Sequence, residues 1–229
     1  MQGQTLVADD GGTGDIFGYS VSFKGTTAVI GAYANNTYQG AAYVFGLTDG
    51  TWTQTQKLVA DDGASNTYFG YATALSGPTL LIGAWGSNPG GVDTQGAAYI
   101  FTQADGAWTQ TQKLVANDGG IGDKFGHSVA LQGTTALIGA DGWSASTAQG
   151  AVYEFDGSGG TFVQTQTLVA SDGAPADQFG LPVTLDGDNA LVGSWLWSAP
   201  DSTMPGSAYF FTRAPSDVIF ADGFDEAAP

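Results

Sequence analysis

Short apolar runs separated by polar turns recur along the whole chain in a fixed order. In the first unit, residues 17–23 alternate loosely between apolar and polar. Residues 28–32 form an unbroken apolar stretch, residues 41–45 an aromatic-rich one, and residues 52–59 alternate Thr and Gln with bulkier side chains. Runs of this length, rich in β-branched and aromatic residues, predict strands. The unbroken run predicts a strand buried on both faces. The separators Lys24-Gly25-Thr26 and Thr48-Asp49-Gly50 have turn chemistry. No window carries a persuasive helical period, so each unit predicts four strands, a to d.

The same order returns four times. Phe-Gly stands at Phe17-Gly18, Phe69-Gly70, Phe125-Gly126 and Phe179-Gly180. Ile-Gly-Ala follows at Ile30-Gly31-Ala32, Ile82-Gly83-Ala84 and Ile138-Gly139-Ala140, with Val192-Gly193-Ser194 in the last unit. A Gly-Ala pair then opens strand c at Gly40-Ala41, Gly96-Ala97 and Gly150-Ala151, with Gly206-Ser207 last. Tandem four-stranded units of about 50 residues are the mark of a β-propeller. The expected fold is therefore all-β: a propeller of four four-stranded blades over residues 1–213, with residues 214–229 as a C-terminal tail. The repeats fall at about 9–60, 61–116, 117–170 and 171–213. The fourth unit departs after Thr212 without a strand d, while residues 4–8 repeat the end of strand d with nothing before them. The expectation is that this N-terminal strand completes the last blade and closes the ring, leaving no exposed edge. The alternatives are an open half-ring that pairs with a second copy and chains that donate the strand to a neighbour as a dimer or fibre.

These repeated pairs resemble the FG-GAP repeats of integrin α-subunit propellers, and more closely those of secreted bacterial proteins. The resemblance spans nearly the whole chain and implies a propeller with an extracellular recognition role. Integrin-type calcium loops carry Asp-x-Asp-x-Asp-Gly between strands a and b. Here those turns read Lys24-Gly25-Thr26-Thr27, Ser76-Gly77-Pro78-Thr79, Gln132-Gly133-Thr134-Thr135 and Asp186-Gly187-Asp188-Asn189, so the family's calcium sites do not carry over. Residues 218–225 are similar to a short C-terminal motif of some secreted bacterial proteins.

Composition narrows the partners. Asp+Glu number 22 against 5 Lys+Arg, a net charge of -17 that repels nucleic acid and anionic membranes. No stretch reaches the ~20 apolar residues of a membrane span, so membrane insertion is not expected. With no Cys there is no disulfide framework, and 42% apolar with 12% aromatic residues argues against disorder. Residues 1–4 hold no basic or apolar run, so no leader is expected within the chain. Few Lys, many Thr, Gly and Asn, and strong acidity fit a secreted or cell-surface bacterial protein.

Two sets of residues stand out as candidate sites. The b–c loops differ most between units, and divergent loops on a repeated scaffold are where recognition resides. They carry Tyr33, Tyr38, Trp85, Trp143, Trp195 and Trp197. Aromatic rings beside polar groups suit a glycan or a protein partner. The bland alternative is that those directly after strand b wedge between blades. The d–a loops carry Asp10, Asp62, Asp118 and Asp172, each followed by Gly and seven residues ahead of Phe, and Asp15, Asp123 and Asp177 two residues ahead of Phe, with Thr67 in that slot of the second unit. Oxygen-rich loops can hold calcium. Asp before Gly equally favours a structural Asx turn, and no cofactor is required. Catalysis has little support. His127, the single His, fills the slot of Tyr19, Tyr71 and Leu181 and reads as packing, and no nucleophile signature is present. The expected function is non-enzymatic, adhesion-type binding of a protein or carbohydrate by a monomer. A self-assembling structural protein is the alternative, and an Asp-based hydrolase or lyase the third reading.

Overall fold

The computed structural model describes residues 3–142, 149–196, 206–213 and 220–222. Among the described residues, sixteen strands form four antiparallel four-stranded sheets, each made of consecutive strands. Sheet 1 holds β1 (Val21–Lys24), β2 (Thr27–Ala32), β3 (Ala41–Thr48) and β4 (Thr51–Leu58). Sheet 2 holds β5 (Ala72–Ser76), β6 (Thr79–Ala84), β7 (Ala97–Ala104) and β8 (Ala107–Leu114). Sheet 3 holds β9 (Ser128–Gln132), β10 (Thr135–Ala140), β11 (Ala151–Asp156) and β12 (Val163–Leu168). Sheet 4 holds β13 (Phe179–Asp186), β14 (Asn189–Ser194), β15 (Ser207–Arg213) and β16 (Phe220–Asp222). The unbroken apolar runs are the second strands, as their pattern requires. Val29, Leu81 and Leu137 have no exposed surface.

The cores lie between sheets. Leu81, Ala98 and Ile100 of sheet 2 meet Phe125, Ile138 and Phe155 of sheet 3 in one cluster, and equivalent clusters join sheets 1 and 2 and sheets 3 and 4. The repeated glycine motifs are the joint. Phe69, Phe125 and Phe179 pair as parallel bridges with Gly40, Gly96 and Gly150 of the preceding repeat. The Phe69, Phe125 and Phe179 amides donate to the carbonyls of Gln39, Gln95 and Gln149 at 3.1, 2.8 and 2.8 Å. The next glycine presses its carbonyl against the Ile-Gly-Ala strand of the sheet before. A Cβ on Gly31, Gly83 or Gly139 would sit on the carbonyl oxygen of Gly70, Gly126 or Gly180. Phe-Gly and Gly-Ala recur together because each is one half of a backbone-to-backbone contact.

Two expectations are corrected. Strand a does not begin at Phe17 in the first repeat but at Val21. Ile16 and Gly18 have positive φ, which turns the chain there, and Tyr68, Lys124 and Gln178 repeat the left-handed conformation before each later Phe. More consequentially, residues 4–8 do not complete the last sheet. That edge of β15 is paired with β16, through Phe211 with Asp222, Thr212 with Ala221 and Arg213 with Phe220. The Gln4 amide instead donates to the Trp52 carbonyl at 2.7 Å and accepts from its N–H at 2.8 Å. Leu6 and Ala8 pack into the core of sheet 1. The physical reason is visible in the repeat. Gln56 and Gln112 grip Trp108 and Phe162 of the following sheet in the same way, at 2.7–2.9 Å. Strand d thus has two roles, pairing within its own sheet and hooking the next, and residues 4–8 keep the second.

Candidate functional site

Three positions of the repeat converge, in the first three repeats, on the side of the sheets that bears the b–c loops. They are the residue after the second strand, the residue after Phe-Gly and the residue before it. In the first three repeats these are Tyr33, Trp85 and Asp141; Tyr19, Tyr71 and His127; and Ile16, Tyr68 and Lys124. Because sheets are locked in register by the Phe-Gly joint, these side chains stack from one sheet to the next. Tyr19 lies 4.6 Å from Tyr71, and Tyr71 4.7 Å from His127, ring centre to ring centre. Tyr33 bridges Tyr19 and Tyr71 at 4.6 and 5.2 Å, and Trp85 reaches His127 at 5.5 Å. Tyr38 joins through Tyr68 at 5.4 Å. It leaves a turn at Asn35–Tyr38 in which Asn36, Thr37 and Tyr38 are all left-handed.

The cluster is graded in exposure. Tyr19 and Tyr38 are 47% and 44% exposed, so ring surface is open to a ligand. Trp85 is held underneath. Tyr68 stacks on it at 4.2 Å with the planes 8° apart, and the Lys124 ammonium sits 5.2 Å from the ring centre. Burial pulls the Lys124 ammonium below its ordinary pKa, and the Asp141 charge opposes that. His127 Nδ1 lies 3.0 Å from Oδ1 of the buried Asp141, outside hydrogen-bonding geometry. Burial raises the Tyr71 hydroxyl well above the ordinary phenol, so it stays protonated and able to donate at neutral pH.

The sequence-derived aromatics therefore divide. Tyr33, Tyr38 and Trp85 belong to the cluster. Trp195 is 52% exposed and lines a groove on sheet 4 instead. Trp143 and Trp197 lie outside the described residues. Missing from that set were Tyr19, Tyr68, Tyr71 and His127, which flank Phe-Gly and so sit inside the part of the repeat that reads as scaffold. Their signal was the shared slot of Tyr19, Tyr71 and His127.

The d–a loop carboxylates have protein partners. Asp10 and Asp62 accept from Lys57 and Lys113, each at 2.6 Å. The Tyr99 hydroxyl donates to Asp62 at 2.8 Å and that of Tyr209 to Asp172 at 2.7 Å. Asp118 pairs with Tyr153 in the same way and raises that phenol further above its ordinary range, beyond the effect of burial. Burial and Asp172 together lift Tyr209 to about 12. Asp15, Asp123 and Asp177 accept the backbone N–H three residues earlier at 2.8, 2.6 and 2.7 Å, closing the turn before Phe-Gly. Thr67 holds the same turn through its hydroxyl, which donates to the Ala64 carbonyl at 3.0 Å.

These pairs carry a pH dependence. Lys57 and Tyr43 lower the Asp10 pKa from 3.8. For Asp62 burial raises it, but Lys113 and Tyr99 outweigh that and the net shift is downward. A carboxylate depressed on folding stabilises above its unfolded pKa and loses that contribution as pH falls through the folded value. Stability should therefore be flat above pH 4 for these two groups and drop below it. Asp62→Asn should flatten part of that drop in an acid titration followed by tryptophan fluorescence. Both carboxylates are half exposed, so each pair contributes no more than about 1 kcal/mol. An unchanged acid midpoint in the variant would show that the pair contributes nothing.

The FG-GAP repeat family model matches residues 1–45, 52–101, 108–155 and 162–211; the last three matches each run from the fourth strand of one sheet through the first three strands of the next. The chain belongs to the FG-GAP repeat family. No curated protein matches it. FG-GAP repeats are generally found in β-propeller proteins of adhesion and binding, and FG-GAP proteins are often extracellular. In this FG-GAP chain the Phe and first Gly of the name make one half of the joint between sheets, and Gly-Ala makes the other. The residues that flank them carry the aromatic cluster.

Proposed function

We propose that this chain is a non-enzymatic, extracellular binding module of propeller type that recognises a protein or glycan through the tyrosine face built by Tyr19, Tyr33, Tyr38, Tyr68 and Tyr71. The observation that carries the reading is the run of ring contacts across three sheets ending in two half-exposed tyrosines. Tyrosine offers a flat apolar ring and a hydroxyl at low conformational cost, the combination that suits sugar faces and protein anchors alike. The aspartates are engaged with Lys, Tyr and backbone partners, which supports a structural role for them over a calcium-binding or hydrolytic one.

Wild type and Tyr19→Ala/Tyr38→Ala should be compared on a glycan array and on a panel of immobilised extracellular proteins. Both residues are open enough that the variant should fold. At least one class of ligand should retain wild type, and the variant should bind it at least about tenfold more weakly, or 1.4 kcal/mol. Equal binding by the two proteins would remove the site, and no binding by wild type on either surface would remove the function.

A further inference from the structure

The hairpins that join strands c and d, at the end of the sheets away from the b–c loops, are not all alike. In sheets 1 and 2 the two strands stay paired up to the turn, with Leu47 opposite Trp52 and Gln103 opposite Trp108. In sheet 3 the ladder stops at Asp156 opposite Val163, and two pairs are given up. Gly157 stands in the slot of Leu47 and Gln103, and Phe162 in that of Trp52 and Trp108. Gly157, Gly159 and Gly160 make this the most glycine-rich of the three hairpins, which costs backbone entropy on top of the lost pairs. A Cβ on Gly157 would meet ring atoms of Phe162 at 2.8 Å, so the phenyl ring leans over the glycine.

That exchange opens the joint beside it. Trp108 is 3% exposed and fills its place between sheets 1 and 2, whereas the smaller Phe162 is only partly buried between sheets 2 and 3. A cavity of about 270 Å³ lies next to the Phe162 ring. Thr79, Thr102 and Thr111 of sheet 2 line one side of it, and Thr134, Thr161 and Phe162 of sheet 3 the other. The repeat does not demand these hydroxyls. Between sheets 1 and 2 the slots of Thr102, Thr134 and Thr161 hold Gly46, Pro78 and Ala107. Gln112 also lines the cavity, but its amide is spent on the Phe162 backbone, donating to the carbonyl at 2.7 Å and accepting from the N–H at 2.9 Å. None of the lining side chains is charged.

We propose that this cavity is a second binding site, built for a single neutral sugar ring. A threonine hydroxyl both donates and accepts, as every sugar hydroxyl does, so a wall of threonines suits a ligand that presents both at once. The Phe162 ring supplies an apolar wall for the C–H face of the sugar. An anion would meet no cation among the lining residues and a chain of net charge -17, and a cation would meet no lining carboxylate. The volume falls short of the roughly 300–1,000 Å³ of sites for drug-sized ligands, which suits one ring and not a longer chain. The site lies at the opposite end of the sheets from the tyrosine face and does not depend on it.

Glucose, galactose, mannose and N-acetylglucosamine should each be titrated into the isotope-labelled full chain and followed by amide NMR shifts. At least one should move the amides of Gly133, Thr134, Gly160 and Thr161 saturably and leave those of Tyr19 and Tyr38 in place. Thr102→Val/Thr134→Val keeps the shape of the wall and removes two hydroxyls, and should weaken that binding by about tenfold or more. Phe162→Trp restores the residue that sheets 1 and 2 carry in this slot, and should abolish the shifts while the thermal melt holds or rises. Tyr19→Ala/Tyr38→Ala should leave the shifts unchanged. No saturable shift with any of the four sugars would overturn the proposal. Shifts confined to the tyrosine face, or shifts at the cavity that neither the valine nor the tryptophan variant alters, would overturn it as well.

Discussion

Phe125→Ala should be among the most destabilising single substitutions in the chain. The ring has no exposed surface, meets Tyr153 at a tilt with centres 5.5 Å apart and Phe155 edge-on at 5.9 Å. It is the point at which sheet 3 enters the core it shares with sheet 2. Removing a buried Phe leaves a cavity that the surrounding strands cannot collapse into, at a cost of about 3–5 kcal/mol. Because a domain of this size is stable by only about 5–15 kcal/mol, the melting temperature should fall steeply. Phe17→Ala removes the same side chain in the first repeat, where the ring is only partly buried, and should cost less. Thermal melts of the two variants measure the difference. Equal losses would mean that the Phe side chains act within their own sheets and not across the joint.

Gly83→Ala should be comparably severe for a different reason. Its backbone is ordinary extended strand, so a methyl group brings no torsional penalty. The added Cβ would fall on the carbonyl oxygen of Gly126, with the Gly126 Cα 3.3 Å behind it. Neither neighbour is the free end of a side chain, so the sheets themselves must separate. Overpacking of this kind costs about 3 kcal/mol. Separation would also break the 2.8 Å hydrogen bond from the Phe125 amide to Gln95. A chemical denaturation series should therefore show Gly83→Ala losing midpoint without a change of slope.

Much of this was legible in the chain. The Phe-Gly, Ile-Gly-Ala and Gly-Ala pairs marked every sheet, and the unbroken apolar runs marked every second strand, because those patterns report burial directly. The pairing of two glycine motifs from different repeats was not legible. Sequence spacing shows that Gly83 and Gly126 both recur but not that one lies on the other. The fourth sheet misled for a related reason. Residues 4–8 carry the strand d sequence, and that sequence encodes a hook to the following sheet as well as a pairing edge. The hook is satisfied by Trp52, while the three residues of β16 are too short and too unlike the other fourth strands to stand out. The binding face was half visible. Divergent b–c loops pointed to Tyr33, Tyr38 and Trp85. Tyr68, Tyr71 and His127 were hidden by their nearness to the motif, since only the left-handed residue before Phe and the register between sheets aim them at the same face.

The joint between repeats is the foundation of all of this, and one pair of glycines isolates it. Gly70 and Gly106 have nearly the same left-handed φ, +85° and +82°. A Cβ on Gly70 would strike the Ala41 carbonyl of the preceding repeat, while one on Gly106 would meet open space. Both Ala variants carry the left-handed penalty of about 1–2 kcal/mol. The decisive measurement is the difference between their unfolding free energies. The joint requires Gly70→Ala to be less stable than Gly106→Ala by about 2 kcal/mol or more, the cost of overpacking a backbone contact. Equal stability would mean that the Phe-Gly turn does not bear on the neighbouring sheet, and both the stacking of the repeats and the tyrosine face built on it would be wrong.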